Sequence, residues 1–378
     1  MLFRYFMLPL QGHNNVTITL INMKRLMLLA IPAMLLASCN SHEYKITGKA
    51  GEDMEGKLVR LKNDTIIVDS CTITNGAFTF KGSVNDQTMY MLAVEQGAEF
   101  PVFIENGAKI NVDLNESPAS IKDNGGMNDS YADVINAVNE AGEALNERVE
   151  KLIKAGVPYT GIQDSLASEL DALKNIYRDG ISANKRNYVG AFLLNMVARE
   201  FYQELGSLDS VMAEVKYAVE MKQLQALRKT YESAESTKEG RMFVDFTGQS
   251  VDGTSSKLSD YVGKGKFVLV DFWASWCGPC KREIPNLLDL YSRFNGENFT
   301  VLGVNVWDAE SRFKAALESE GITYPQIFVP RDNEDDATEL YGIQGIPQII
   351  LFGPDGTIVK RDLRGEEMKE FVAEQLQK

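Results

Sequence analysis

The stretch from Phe267 to Pro285 constrains the fold of this chain more than any other part of the sequence. It opens with an uninterrupted apolar run, Phe267 to Val270, and then reaches two cysteines, Cys277 and Cys280. An apolar run without polar alternation is typical of a central parallel strand that is buried on both faces. Because such strands pass their chain to helices, the stretch predicts a strand, a turn, a cysteine pair and a helix.

Each cysteine takes a role from its place on this helix. Cys277 falls at the predicted N-terminus, where unsatisfied N–H groups and roughly half a positive charge favour a thiolate, which indicates the nucleophile. Pro279 suits the first helical turn because its missing N–H costs little there. Cys280 lies three residues beyond Cys277 on the same helix face, which indicates the resolving thiol.

The composition argues against other uses of the pair. A structural zinc site needs about four Cys or His ligands, but the other candidates in the chain all lie far upstream. They are Cys39, Cys71, His13 and His42. Position 281 is Lys where haem attachment needs His, and a Cys-His hydrolase would need a His in the C-terminal half. A purely structural disulfide over so short a loop would add only about 2 kcal/mol. We therefore expect a redox role, with no metal and no cofactor.

A resemblance to a known family starts from these residues. DFWASWCGPC, with Pro285 five residues past Cys280, resembles thioredoxin, and CKREIP is similar to the membrane-tethered ResA/TlpA-like thiol-disulfide oxidoreductases. The resemblance covers about Arg241 to Lys378, and its second landmark, Gly345 to Gln348, resembles the family's cis-proline loop. It implies an α/β thioredoxin-like C-terminal domain over 241–378 with a redox-active disulfide between Cys277 and Cys280. The substrate contacts that it implies are Trp276, Gly278, Pro279, Ile346 and a cis Pro347.

Two carboxylates are candidates for the base that deprotonates Cys280. Asp271 occupies the position of the buried acid of thioredoxin, where the ResA/TlpA-like group more often has Asn. Glu283 matches the acid that this group carries three residues after its second cysteine. Glu283 is therefore an alternative base or a group that tunes the thiol pKa, unless it is a solvated helix residue beside Lys281 and Arg282.

The direction of electron flow follows less directly. The Gly-Pro pair between the cysteines resembles that of thioredoxin and implies a reductant of disulfide-bonded proteins. Reduction potentials in this fold span about 150 mV, and the sequence does not place this protein within that range. The family resemblance implies a DsbD-like membrane reductase as the electron donor. A disulfide oxidase or isomerase is the alternative, and a partner-binding lipoprotein with a scaffold thioredoxin domain is an alternative of another class.

The N-terminus predicts export and anchoring. Residues 23–38 combine basic residues, an apolar run and small residues, as in a signal peptide, and the run is shorter than the roughly 20 residues that span a membrane. Leu36 to Cys39 resembles the lipobox of bacterial lipoproteins, which implies lipidation of Cys39 and a location in the cell envelope facing the periplasm. Residues 1–22 are interpreted as an over-extended translation start. The formal charge of −14 argues against nucleic acid as a partner.

Two further segments precede the redox domain. Residues 43–120 show short alternating runs with turn residues between them, which predict a small antiparallel β-sandwich. Its motifs ITGKA, DSCTITNGAFTFKG and FIENGAKINVDL resemble a domain of unassigned function found before thioredoxin domains, and Cys71 within it is expected to be a small buried side chain. Residues 127–237 change to a helical period and are expected to form a helical middle segment. Its apolar stripes are typical of core or docking surfaces, and a spacer or a homodimer interface is the role considered for it. Within the C-terminal domain, Asp308 is expected to cap a helix that extends to Glu320.

Overall fold

The computed structural model describes residues 43–330 and 336–377. The predicted start segment 1–22, signal peptide 23–38 and lipidation site Cys39 therefore lie outside the described residues. The described chain divides into two compact units. The N-terminal unit comprises residues 43–194 and 215–217, and the C-terminal unit comprises residues 195–214 and 218–377. Within these ranges, no helix is both long and apolar enough to cross a membrane.

The N-terminal unit begins with two four-stranded sheets. Their strands are β1 Tyr44–Lys49, β2 Leu58–Asn63, β3 Ile66–Thr72, β4 Ala77–Gly82, β5 Thr88–Val94, β6 Glu99–Ile104, β7 Lys109–Asp113 and β8 Ser120–Lys122. The sheet orders are β4-β1-β7-β8 and β3-β2-β5-β6. Alternate side chains such as Ile46 and Val59, one from each sheet, are fully buried in a shared core. This arrangement confirms the predicted sandwich, although β1 and β7 pair in parallel. Cys71 is half-buried against the same core rather than fully buried.

Helices follow the sandwich, and a buried asparagine joins the first of them to a strand. The helices that follow are α1 Met127–Lys154, α2 Tyr159–Ser165, α3 Ala167–Ala183 and α4 Tyr188–Phe201. The Asn128 side chain accepts a hydrogen bond from the Phe103 N–H at 2.9 Å and donates one to the Phe103 carbonyl at 2.8 Å. The amide thus satisfies both backbone groups of Phe103 on β6, which would be costly to bury without partners.

The last helices of the predicted middle segment belong to the C-terminal unit. They are α5 Leu205–Glu214 and α6 Lys222–Ser236. The segment 127–237, treated as one element in the sequence, is thus divided between the two units. α6 contacts Gly342, where an added Cβ would lie 2.5 Å from the Ala234 nitrogen and where φ is +61°. Both the close approach and the left-handed backbone require glycine at that position.

The C-terminal unit is built on a seven-stranded mixed sheet. Its strands are β9 Thr247–Gln249, β10 Ser255–Lys257, β11 Phe267–Trp273, β12 Phe299–Asn305, β13 Gln326–Phe328, β14 Gln348–Phe352 and β15 Ile358–Lys360. The order is β10-β9-β13-β12-β11-β14-β15, with β11 parallel to β12 and antiparallel to β14. The remaining helices are α7 Gly278–Phe294, α8 Glu310–Ser319, α9 Ala337–Leu340 and α10 Gly365–Leu376. This arrangement confirms the α/β thioredoxin-like fold expected for the C-terminal domain.

The two faces of β11 carry different side chains. Val270 and Phe272 pack in one core, whereas Leu269 packs on the opposite face with residues of α7 and α10. Trp273 lies in a third cluster that contains both Cys277 and Cys280. Because side chains alternate along a strand, Asp271 shares a face with Leu269 and Trp273. The strand therefore directs Asp271 towards the face that α7 covers.

Candidate active site

Cys277 and Cys280 lie at the N-terminus of α7 and form a disulfide in this structure. Cys277 is the N-cap residue, and its Sγ accepts a hydrogen bond from the Cys280 N–H at 3.1 Å. Both cysteines are buried, with 3% and 0% of their surfaces exposed. The N–H group that contacts Cys277 is one of the donors that a helix leaves unsatisfied. A Cys277 thiolate at this position would be stabilised by that donor and by the helix dipole.

The predicted substrate-contacting residues surround this disulfide. Trp276, Gly278 and Pro279 are exposed, and the Trp276 indole Nε1–H donates to the Trp307 carbonyl at 3.1 Å. The Ile346–Pro347 bond is cis, and the Ile346 carbonyl oxygen lies 3.6 Å from Cys277 Sγ. The fold therefore brings together the cysteine segment and a loop that lies about seventy positions later, which leaves a backbone carbonyl beside the sulfur.

Asp271 is buried with 0% exposure, and neither of its carboxylate oxygens has a hydrogen-bond partner among the described residues. Burial raises the pKa of Asp271 to about 8, against the lowering effect of the Arg364 charge and with a further rise from Glu283. Desolvation dominates because a carboxylate without donors loses its hydration and gains nothing in return. Asp271 can thus gain or lose a proton near neutral pH.

Glu283 lies on α7 and is half-buried. Its Oε2 accepts a hydrogen bond from the Gly365 N–H at 3.0 Å and another from Asn286 Nδ2 at 3.1 Å. Gly365 is the first residue of α10, so the carboxylate satisfies a free N–H at the positive end of that helix. The alternative of a solvated helix residue is therefore wrong, since Glu283 connects α7 to α10.

Two residues near the site were missed by sequence reasoning. Asp308 was expected to cap a helix, but α8 begins at Glu310 and Asp308 Oδ2 accepts the Ser275 N–H at 2.6 Å. Burial acts to raise the pKa of Asp308, but hydrogen bonds from Ser275 and neighbouring groups outweigh it, so that the pKa is lowered. Asp308 thus fixes the turn that precedes the cysteines as an ionised acceptor.

Arg364 is the second missed residue. It donates to the carbonyl of Pro347 through Nη2 and to the carbonyl of Leu363 through Nη1, the latter at 2.6 Å. One feature of the sequence points to Arg364, which is a cation at the start of a predicted helix. A positive charge is unfavourable there because it opposes the helix dipole. Among the described residues, no group of three or more His, Cys, Asp or Glu side chains could hold a metal ion.

Two family models and several curated proteins match parts of this chain. The model of the AhpC/TSA family matches residues 240–361, and the model of a domain of unknown function (DUF4369) matches residues 44–130. The thiol-disulfide oxidoreductase ResA of Geobacillus thermodenitrificans is 32% identical over 133 residues, which are 35% of this chain and 73% of the relative. ResA of Bacillus subtilis is 30% identical over 126 residues, which are 33% of this chain and 68% of the relative.

Solved structures give a similar comparison. The thioredoxin domain of a thiol-disulfide oxidoreductase from Bacteroides vulgatus is 37% identical, with a TM-score of 0.35, and the match covers 36% of this chain and 97% of that domain. A thiol:disulfide interchange protein from Bacteroides sp. is 36% identical, with a TM-score of 0.36, and the match covers 38% of this chain and 93% of that protein.

Proposed function

Because the chain belongs to the ResA-like thiol-disulfide oxidoreductases, we propose that it reduces disulfides in proteins through a Cys277/Cys280 dithiol while anchored in the bacterial cell envelope. The observation that carries the proposal is the position of Cys277 Sγ. It lies at the positive end of α7, 3.1 Å from the Cys280 nitrogen and 3.6 Å from the Ile346 carbonyl oxygen. A Cys277 thiolate would be stabilised at this position, and the Ile346 backbone lies beside it.

The reaction proceeds in two exchange steps. The Cys277 thiolate attacks one sulfur of the substrate disulfide, a mixed disulfide forms, and the other substrate sulfur leaves as a thiolate that takes up a proton. Cys280 then loses its proton and its thiolate attacks Cys277 Sγ, which releases the second substrate thiol. The substrate gains two electrons, and the protein is left with the Cys277–Cys280 disulfide present in this structure. A membrane reductase of DsbD-like type restores the dithiol.

Asp271 is the proposed base for Cys280. Support comes from its burial, from the absence of partners for its oxygens among the described residues, and from a pKa raised to about 8. A base with such a pKa holds and releases a proton near neutral pH. Glu283 is the alternative base or a group that tunes the thiol pKa, but its two hydrogen bonds already engage it at the start of α10.

Substrate is proposed to bind as an extended segment along the Ile346–Pro347 loop. The Ile346 backbone would pair with the substrate strand, which is the usual way in which an extended peptide gains affinity without a fixed sequence. The exposed surfaces of Trp276, Gly278 and Pro279 would also contact the substrate.

Anchoring is proposed from the sequence, with cleavage of residues 23–38 and lipidation of Cys39 on the periplasmic side of a membrane. The Cys39→Ala variant should leave the membrane fraction and keep its reductase activity, because the anchor is remote in sequence from the cysteine pair. Fractionation of the variant that is unchanged from the wild type would overturn the lipobox interpretation.

Reduction of insulin disulfides by the chain from His42 onward tests the proposed reaction. The reductase proposal predicts turnover with a thiol donor and loss of that turnover in Cys277→Ser. Net oxidation of a reduced substrate, or reshuffling without net reduction, would favour the oxidase or isomerase. If no exchange occurs in any of these assays, the partner-binding alternative replaces the enzymatic proposal.

A further inference from the structure

Arg364 occupies a position where a positive charge is unfavourable for its own helix. It is the N-cap residue of α10, and the next two residues after Gly365 are acids, Glu366 and Glu367. Acids suit this end of a helix because the peptide dipoles place their positive end there, and for the same reason a guanidinium does not. Other interactions of the Arg364 side chain must therefore compensate for this repulsion.

These interactions lead to the loop beside the disulfide. The half-buried Arg364 donates through Nη2 to the Pro347 carbonyl and through Nη1 to the Leu363 carbonyl. Pro347 follows Ile346, whose carbonyl oxygen lies 3.6 Å from Cys277 Sγ. The planar guanidinium can hold two acceptors at once in a fixed geometry. Arg364 thus joins the start of α10 to the loop that is proposed to receive substrate.

The same side chain acts on the buried acid. Asp271 has no hydrogen-bond partner among the described residues, so the effect of the Arg364 charge on it is exerted through space. Burial raises the pKa of Asp271, Arg364 lowers it, and Glu283 raises it further. Asp271 also acts on Tyr324, whose pKa is raised well above its ordinary value by burial and by that carboxylate. The Arg364 charge therefore favours the ionised form of Asp271, against the effect of burial.

We propose that Arg364 is a positioning residue for substrate binding: its guanidinium holds the Pro347 carbonyl, and with it the loop beside Cys277, at the start of α10. The Arg364 charge also lowers the pKa of Asp271, which supports a second effect on the proposed base. The inference rests on the proposed function, because it assigns Arg364 to the loop and the base of that reaction. It predicts two effects of one side chain that can be measured separately, one on KM and one on the pH dependence of resolution.

Arg364→Met and Arg364→Lys separate the two effects. Arg364→Met should raise KM for insulin about tenfold, the loss expected for one charge-assisted hydrogen bond, and should move the pH midpoint of mixed-disulfide resolution upward. Arg364→Lys keeps the charge without the planar fork, so it should restore the midpoint but not KM. Arg293→Met is the matched control, since Arg293 is exposed on α7 and pairs with Asp289, and it should change neither quantity.

An equilibrium titration of Asp271 tests the effect of Arg364 without relying on the disulfide-exchange reaction. The carboxyl titration of Asp271, followed by ¹³C NMR in the oxidised protein, should move to higher pH in Arg364→Met and return in Arg364→Lys. An unmoved titration overturns the coupling even if the wild type reduces insulin. A wild type that does not reduce insulin, with the titration moved as expected, would sink the proposed function and leave the Arg364–Asp271 link standing. Thermal unfolding establishes whether the variants are folded. If Arg364→Met does not fold, Arg364→Lys is used in its place.

Discussion

Replacing Asp271 with asparagine should stabilise the C-terminal unit, and the gain should grow with pH. In the folded protein the pKa of Asp271 is raised from 3.8 to about 8, so the native state holds a proton that the unfolded chain releases. The native state thus binds more protons over this range, and its stability falls as pH rises. Asparagine cannot ionise in either state, and therefore the variant lacks this loss.

The size of the effect follows from the pH range between the two pKa values of Asp271, which are 3.8 in the unfolded chain and about 8 in the folded protein. Each pH unit above 3.8 costs about 1.4 kcal/mol of stability, which amounts to about 4 kcal/mol at pH 7 and about 6 kcal/mol above pH 8. Below pH 3.8 the carboxyl is neutral in both states, and the difference disappears. The cost of burying an unpaired polar side chain is similar for a neutral carboxyl and an amide, so this cost nearly cancels in the comparison.

Urea unfolding of the oxidised protein, followed by tryptophan fluorescence from about pH 4 to about pH 9, measures this difference. The three tryptophans of the chain, Trp273, Trp276 and Trp307, all lie in the C-terminal unit, so their fluorescence reports that unit. Asp289→Asn, at a half-buried position of α7 where the carboxylate pairs with the exposed Arg293, is the control. It should stay within about 1 kcal/mol of the wild type, because such ion pairs at the surface contribute little. A gain that is the same at every pH, or no gain at all, would refute the view that ionisation of a buried carboxyl is the cost.

The other variants test the chemistry and one further buried group. Cys277→Ser should abolish reductase activity and Cys280→Ser should accumulate mixed disulfides on gels run without reductant; equal trapping by both would contradict the two roles. In single-turnover kinetics, Asp271→Asn should slow resolution with little effect on the attack by Cys277, whereas Glu283→Gln should chiefly change the thiol titration, and the reverse pattern would assign the base to Glu283. Tyr324→Phe removes a buried hydroxyl that has no partner among the described residues, so denaturant unfolding should reveal a gain of about 1 kcal/mol or more, and a loss would mean that the hydroxyl is satisfied.

Expectations built on local chemistry agree best with the structure. The apolar run from Phe267 corresponds to the buried strand β11, and Cys277 stands at the N-cap of α7. Strand burial and helix capping depend on neighbours within a few residues, which the sequence displays directly. The Ile346–Pro347 loop was located by family resemblance, since a proline preceded by an apolar residue does not by itself indicate which sulfur it will face.

Contacts between residues far apart in the sequence were predicted less well. The sequence alone allows Glu283 to be a base, a group that tunes the thiol pKa or a solvated residue, and the structure gives it a partner 82 positions later, the Gly365 N–H. Asp308 is predicted from the sequence to cap a helix, but it accepts a hydrogen bond from the Ser275 N–H in the turn before the cysteines. In both cases the carboxylate binds a donor that the chain brings near only after folding. Sequence spacing cannot weigh that donor against a local one.

The sequence by itself determined the reactive pair, its helix and the strand that supports them, because periodicity and helix-end electrostatics act over a few residues. Tertiary structure alone decided what surrounds the pair. It placed Asp271 where burial raises its pKa to about 8, and it set Arg364 against the Pro347 carbonyl. Desolvation and through-space charge depend on which segments pack together, and that packing joins residues from β11, α7, α10 and the proline loop that lie far apart along the chain.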